Sequence, residues 1–191
     1  GMPEIEDCLI NSLDALSSLP APCYPAGRME LFVNAAAIAK KKWGATVTIR
    51  GAVTGSFSMA SKLFPKEELL MEAIMNPEGV RALLGYCNSW IKKYAEQFLK
   101  AGCEVAVFDS FIAPPMLSPD LYRDIVFPFH RDLFDFITAN GGKKRPLIAG
   151  GDTRALLPHL VETGANQLII DYVVSPEDAR QCMNIYPSTI F

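Results

Sequence analysis

Two periodicities alternate along this chain, and the switches between them mark out its elements. From residue 28 to 43, Met29, Phe32, Val33, Ala36 and Ala37 share one helical face and Gly44 follows, the pattern of a helix with a C-terminal glycine. Residues 46–53 are rich in β-branched side chains and are expected as a strand. Asn76-Pro77-Glu78 then sets a capping side chain, a proline at the first helical position and an acid at the positive end of the helix dipole. The helix it opens carries Val80, Leu83, Leu84, Cys87, Ile91, Tyr94, Ala95 and Phe98 on one stripe and stops at Gly102.

The same unit recurs. Residues 104–108 read as a strand, and Ser118-Pro119-Asp120 opens a helix with Leu121, Ile125, Val126, Phe129, Leu133 and Phe136 inward. A strand at 146–149 precedes a helix at 153–163 that ends at Gly164. A strand at 167–170 leads to a helix opened by Ser175-Pro176-Glu177, and 189–191 reads as a last strand. Ahead of all this, Ile5, Leu9, Leu13 and Leu16 predict a leading helix, joined to the rest by a Pro-rich linker within residues 17–27. Strands separated by helices pair in parallel through right-handed crossovers, and short apolar strands fit a sheet covered on both faces. The expected fold is α/β, with about five strands in a single domain over residues 1–191.

Composition narrows the function. Of 191 residues half are hydrophobic and a fifth charged, which excludes a disordered or fibrous chain. The net charge is −3 and no basic run exceeds three residues, as at Lys40-Lys41-Lys42, so no nucleic-acid footprint is expected. Pro, Gly or charge interrupts every apolar stretch short of about 18 residues, so no membrane span is expected. Gly1-Met2 reads as a tag remnant before a start methionine, with no signal peptide. The five cysteines have no C-x-x-C spacing and are expected as reduced thiols of a cytoplasmic protein. With His130 and His159 the only histidines, no Cys/His metal site is expected.

Ligands of parallel α/β folds bind at the carboxyl ends of the strands. There the expected strands run into Thr54-Gly55-Ser56, Asp109-Ser110, Gly150-Gly151-Asp152-Thr153 and Asp171-Tyr172. Three aspartates on one rim suit proton transfer, cation stabilisation or hydrogen bonding to substrate N–H groups, although Asp and Ser also serve as plain caps after a strand. The glycines at 150 and 151 match neither a P-loop nor a dinucleotide fingerprint, so nucleotide binding is not expected. Arg50 and Arg154 are read as lying near the rim, where they would meet substrate carboxylates. Tyr94 reads as a packed core tyrosine, and both histidines as surface or core residues on helices.

Several of these segments together resemble the uroporphyrinogen decarboxylase superfamily. They are Arg50-Gly51-Ala52-Val53-Thr54-Gly55-Ser56-Phe57-Ser58-Met59-Ala60-Ser61, Asn76-Pro77-Glu78, and Ala101-Gly102-Cys103-Glu104-Val105-Ala106-Val107-Phe108-Asp109-Ser110. Leu117-Ser118-Pro119 with Phe127-Pro128-Phe129, and Asp171-Tyr172-Val173-Val174-Ser175-Pro176 with Ala179-Arg180, complete the likeness over about residues 28–191. The resemblance implies a TIM barrel with its site at the carboxyl rim, in a superfamily that holds haem-pathway decarboxylases and zinc-dependent corrinoid and coenzyme M methyltransferases. It places Tyr94 at the decarboxylases' active-site tyrosine and Asp109 at a rim position acidic in many members. The decarboxylases' N-terminal arginine motif, early-strand aspartate, late histidine and Gly-Asn-x-Asp-Pro loop have no counterpart here. Lys62-Leu63-Phe64-Pro65 is more like the methyltransferase branch, yet that branch's His-x-Cys zinc ligands are replaced by Ile148 and Gly150 ahead of Gly151-Asp152-Thr153.

The expectation that follows is a partial TIM-barrel-like parallel sheet with covering helices, since a full barrel takes about 250 residues and eight strands. Its edges would be covered by self-association or by a partner chain. Its leading function is cofactor-free decarboxylation of a tetrapyrrole, with Asp109 and Tyr94 catalytic and Arg50, Ser110, Gly151, Asp152, Arg154 and Asp171 binding substrate. The alternatives are a zinc-free member of the corrinoid methyltransferase branch, and a non-catalytic fragment that needs a partner chain.

Overall fold

The structure, a computed structural model, describes residues 7–185, with side chains through Cys182. Four strands form one parallel sheet in the order β1 (Arg50–Thr54), β2 (Glu104–Phe108), β3 (Pro146–Ile148), β4 (Gln167–Ile169). Sequential order in a parallel sheet requires each connection to cross on the same side, the pattern of a barrel wall. The expected strand at 189–191 lies outside the described residues. The first strand begins at Arg50 rather than 46, because Thr46 and Val47 donate their N–H groups to the Trp43 carbonyl in a turn off the preceding helix.

Registers place Arg50, Ala52 and Thr54 of β1 on the same face as Glu104, Ala106 and Phe108 of β2, and Pro146 and Ile148 of β3 on the same face as Gln167 and Ile169 of β4. On a flat sheet β1 and β4 would stand about 14 Å apart. Yet Arg50 Nη2 donates to Gln167 Oε1 at 3.1 Å, so the sheet curls around this shared face. Among the described residues no helix covers that face, contrary to the expectation of helices on both sides. Phe108 is 42 % and Ile169 48 % exposed, and a cavity of about 330 Å3 runs along Ala52, Ala106, Phe108, Ile148 and Ile169. The buried set alternates with it: Val53, Val105, Val107, Leu147 and Leu168 face the helices.

The helical layer is α1 (Met29–Trp43), α2 (Ser56–Leu63), α3 (Lys66–Met75), α4 (Pro77–Lys100), α5 (Pro119–Leu121), α6 (Phe127–Ala139), α7 (Leu157–Glu162) and α8 (Pro176–Ile185). The long α4 packs on β1 and β2 and is capped as its sequence dictates, with Asn76 Oδ1 accepting the Gly79 N–H. The expected leading helix is instead a six-residue 3-10 turn, Leu13–Ser18, which Ser12 caps. Its neighbour Ile10 is buried, with its N–H on the Leu63 carbonyl, and the Tyr86 hydroxyl ties Pro20 to α4. The helix expected over 153–163 is a short 3-10 turn, Arg154–Leu156, followed by α7. Among the described residues no helix is long and apolar enough to cross a membrane.

Between α5 and α6 the backbone makes a π turn over Tyr122–Val126, with the Phe127 N–H bonded to the Tyr122 carbonyl five residues back. Pro128 explains it. Proline has no N–H to give the carbonyl of Asp124, and its ring crowds that carbonyl in a regular helix. The wider turn makes room, and Arg81 of α4 donates Nε and Nη2 to the freed Asp124 oxygen. The extra residue rotates the rest of the helix. Where an unbroken period would turn Phe129 and Phe136 inward, His130, Leu133, Phe134 and Ile137 are buried, and Phe129 and Phe136 are only half-buried.

Candidate functional site at the carboxyl rim

Asp109, the first residue past β2, lies directly behind the rim and is wholly buried. Its Oδ1 accepts the Ser58 N–H at 3.0 Å and the Ser58 hydroxyl at 2.5 Å, and its Oδ2 takes His130 Nε2 at 3.0 Å. His130 Nδ1 meets the Tyr122 hydroxyl at 3.0 Å, so a line runs from the half-buried Ser58 through the buried Asp109, His130 and Tyr122. The assignment that satisfies every contact has Nε2–H donating to Asp109 and Nδ1 accepting from Tyr122. The Ser58 N–H belongs to the first turn of α2, so the carboxylate caps that helix at the positive end of its dipole. Burial, and then the Asp109 charge, push the Tyr122 hydroxyl well above its ordinary pKa, which keeps it a donor.

Sequence periodicity points His130 away from this line, and the π turn brings it in. Nothing in the sequence periodicity marks Ser58, Tyr122 or Gly55 individually as part of this line. Gly55 has an ordinary backbone, φ −78°, but a Cβ there would fall on the Asp109 carboxylate.

Tyr94 sits elsewhere. It is half-buried on α4, its ring 4.8 Å from that of Phe98, and lines a cavity of about 280 Å3 beside β1 with Met29, Met59 and Trp90. The structure therefore gives Asp109 and Tyr94 separate surroundings. Arg50 corrects its expected position: as the first residue of β1 it lies at the end of the sheet opposite the rim.

The other candidates do gather at the carboxyl ends of β3 and β4. Asp171 Oδ2 accepts the Gly151 N–H at 3.2 Å, which stitches the two turns together, and Gly151 takes φ +79°, open to glycine. Asp152 folds onto Arg154, accepting its N–H at 3.2 Å, Nε at 2.8 Å and Nη2 at 2.5 Å. Ser110 is exposed at the end of β2, its N–H on Ser58 Oγ at 3.1 Å, so it joins the rim to that line. Two open cavities lie here. One of about 380 Å3 is lined by Pro114, Asp152, Arg154 and Ala155, and the other, of about 530 Å3, by Asp171, Tyr172, Ser175 and Arg180 among others. Tyr172 stands 94 % exposed at its mouth.

The side chain of Arg154 holds the Asp152 carboxyl down at about 2, and Asp152 raises Arg154 in return. With the folded pKa below the ordinary 3.8, this pairing is present above pH 3.8 and is lost as pH falls toward 2. In NMR titrations the Asp152 carboxyl is expected to have its midpoint near 2, and Arg154→Ala is expected to return it toward 3.8. Both groups are solvent-exposed, so the change is a local one with little effect on stability.

A curved parallel sheet with helices on its convex side, and polar turns at its carboxyl ends, defines the wall of an α/β barrel. The family model "Uroporphyrinogen decarboxylase (URO-D)" matches residues 1–190, and the chain belongs to this family. It is 22 % identical over 93 % of its length to "Methylcobamide:CoM methyltransferase MtbA" of Methanosarcina acetivorans, 52 % of which is covered. It is 27 % identical over 75 % of its length to "Uroporphyrinogen decarboxylase" of Thermodesulfovibrio yellowstonii, 38 % of which is covered. A solved methyltransferase from Methanosarcina mazei shares the fold with a TM-score of 0.80 and 20 % identity, over 90 % of this chain and 49 % of that one. The chain thus spans about half the length, or less, of the curated relatives it matches.

The zinc implied by the methyltransferase branch is not matched by the residues at its expected positions. Ile148 offers hydrocarbon and Gly150 no side chain at all, and among the described residues no three potential ligands cluster.

Proposed function

We propose that the rim binds a tetrapyrrole-class macrocycle and that the chain serves the methyl-transfer side of its family, as part of a corrinoid-handling barrel. The observation that carries this reading is the sealing of Asp109. The resemblance puts a decarboxylase's rim carboxylate at Asp109, and Asp109 is instead fully buried and held by Ser58 and His130. What the rim does expose suits recognition of a large ring with polar substituents. Tyr172 offers an aromatic face, Arg154 and Arg180 offer cations, and Asp171 fixes the turn between them. Both arginines are already paired, to Asp152 and Glu177, so the amide carbonyls or the phosphate of a corrinoid would exchange with exposed carboxylates at small cost. Ile148 and Gly150 supply no metal-ligating side chain at those positions.

Tetrapyrrole decarboxylation is the second reading, favoured by the 27 % identity to the Thermodesulfovibrio yellowstonii decarboxylase. One set of measurements separates the two. Titration with hydroxocobalamin, followed by visible absorption, is expected to give a saturable change that weakens about tenfold or more in Arg180→Ala, the worth of one charged hydrogen bond. Incubation with uroporphyrinogen is expected to release no CO2. Release of CO2 would overturn methyl transfer in favour of decarboxylation, and failure to bind either macrocycle would overturn the rim as a ligand site.

A further inference from the structure

We propose that Lys62, Lys66 and Phe111 form an anion subsite on the β1–β2 side of the rim, built to take a phosphate ester of an aromatic group. This side of the rim is separate from the turns after β3 and β4, on which the macrocycle reading rests.

The corner between α2 and α3 sets the two lysines. The Phe64 N–H closes the last turn of α2 on the Ala60 carbonyl at 3.0 Å, and the Phe64 side chain is buried. Pro65 then leads into α3, its carbonyl taking the Leu69 N–H at 2.8 Å. A buried anchor followed by a proline makes this corner stiff. Lys62 from the last turn of α2 and Lys66 from the first turn of α3 converge on one place.

That place is the ring of Phe111, two residues past Asp109. Lys62 Nζ lies 5.7 Å and Lys66 Nζ 5.3 Å from its centre. The ring is a fixed platform, because it packs on the core and Ser58 pins the start of its loop through the Asp109 carboxylate and the Ser110 N–H.

Neither ammonium group is neutralised. Among the described residues no carboxylate lies within ion-pair distance of either, although Glu67 and Glu68 directly follow Lys66. Lys66 is also the first residue of α3, the end at which the helix dipole disfavours a cation. An exposed cation–π contact is weak, and two like charges at one ring repel each other. The arrangement therefore does little for the folded chain alone, and an anion reached by both lysines reverses that balance.

Chemistry selects the anion. An ammonium group is a point charge with three rotatable donors and lacks the fork that fits a planar carboxylate. Two of them from different helices match an anion whose charge is spread over several oxygens, as in a phosphate. When the lysines turn to the phosphate, the face of Phe111 is released to receive the ester's own ring.

Phenyl phosphate, titrated into the full chain by isothermal calorimetry, is expected to bind saturably and more tightly than inorganic phosphate or benzoate. Lys62→Ala and Lys66→Ala should each weaken it about tenfold, the size of one charged hydrogen bond. Lys41→Ala, at an exposed position on α1, should leave it unchanged. Phe111→Leu keeps apolar bulk on the core and should close the gap between phenyl phosphate and inorganic phosphate. Absence of saturation, wild-type affinity in both lysine variants, or an equal loss in Lys41→Ala would each overturn the subsite. Benzoate as tight as phenyl phosphate would overturn phosphate as its ligand, and a gap that survives Phe111→Leu would overturn the part given to that ring. Hydroxocobalamin titrated in saturating phenyl phosphate separates two sources of the group. Competition assigns the subsite to the phosphodiester that a corrinoid carries, and independent binding assigns it to a separate phosphate ester. A chain that binds phenyl phosphate and no cobalamin sinks the macrocycle reading alone.

Discussion

Asp109→Ala is expected to destabilise the fold by about 3–5 kcal/mol, the cost of removing one partner from a buried hydrogen-bonded pair. The deletion leaves three donors behind. The Ser58 N–H and hydroxyl and His130 Nε2 all end on this carboxylate, and Asp109 and His130 are both without solvent exposure. The first turn of α2 loses its cap, and His130 loses the partner that fixes its ring against Tyr122. For a chain of this size the loss corresponds to a fall in Tm of roughly 6–20 °C. Asp109→Asn should cost less. An amide still accepts from Ser58, and its NH2 can face His130 if the ring moves its proton to Nδ1 and the Tyr122 hydroxyl turns to accept. Urea denaturation of the three proteins checks the order, wild type above Asn above Ala. An alanine variant within about 1 kcal/mol of wild type would show that the line Ser58–Asp109–His130–Tyr122 holds nothing together.

That line was half legible in the sequence. Asp109 stands out at a strand's carboxyl end, but position alone cannot say whether a carboxylate faces ligand or protein. What decides it is His130, and helical periodicity hides His130 because it counts from Leu121 in steps of 3.6. The signal was nonetheless present in Pro128, which cannot complete a regular turn on Asp124. Allowing one extra residue there turns His130 inward and Phe129 aside. Ser58 could not be found from one dimension, since its meeting with Asp109 depends on β1 and β2 pairing in register.

The strand order followed the same logic with a different limit. Pro and cap signals placed α4 and the start of α5, with Asn76 and Ser118 both making their side-chain caps. Short apolar strands then suggested cover on both faces, yet Ala52, Ala106, Phe108 and Ile169 are apolar for another reason, as the lining of a barrel interior. Hydrophobicity marks a residue for burial without naming what buries it. Arg50 shows the converse: a charge four residues ahead of the rim motif Thr54-Gly55-Ser56 belongs to the far end of the sheet, because the strand starts there and not at 46.

Gly55→Ala is expected to be the second large perturbation, at about 3 kcal/mol, near the upper end of ordinary overpacking. Backbone strain plays no part, since φ −78° and ψ 163° suit any residue. The obstacle is Asp109: a Cβ on Gly55 would press on its carboxylate and lie 2.5 Å from its Cβ. A flexible neighbour would swing away, but this one is pinned by Ser58 on one oxygen and His130 on the other. The Gly55 N–H meanwhile holds the Phe108 carbonyl at 2.6 Å, so the glycine cannot retreat without opening β1 from β2. The two large effects must therefore be coupled. In an Asp109→Ala background the carboxylate clash is gone and only the contact with the remaining Cβ is left, so adding a methyl group at Gly55 should cost less than in wild type. A double-mutant cycle by urea denaturation is expected to give an interaction energy of about 1–3 kcal/mol in the compensating direction. Strict additivity would mean that the clash is relieved by movement elsewhere, and that the Asp109 side chain is free to yield.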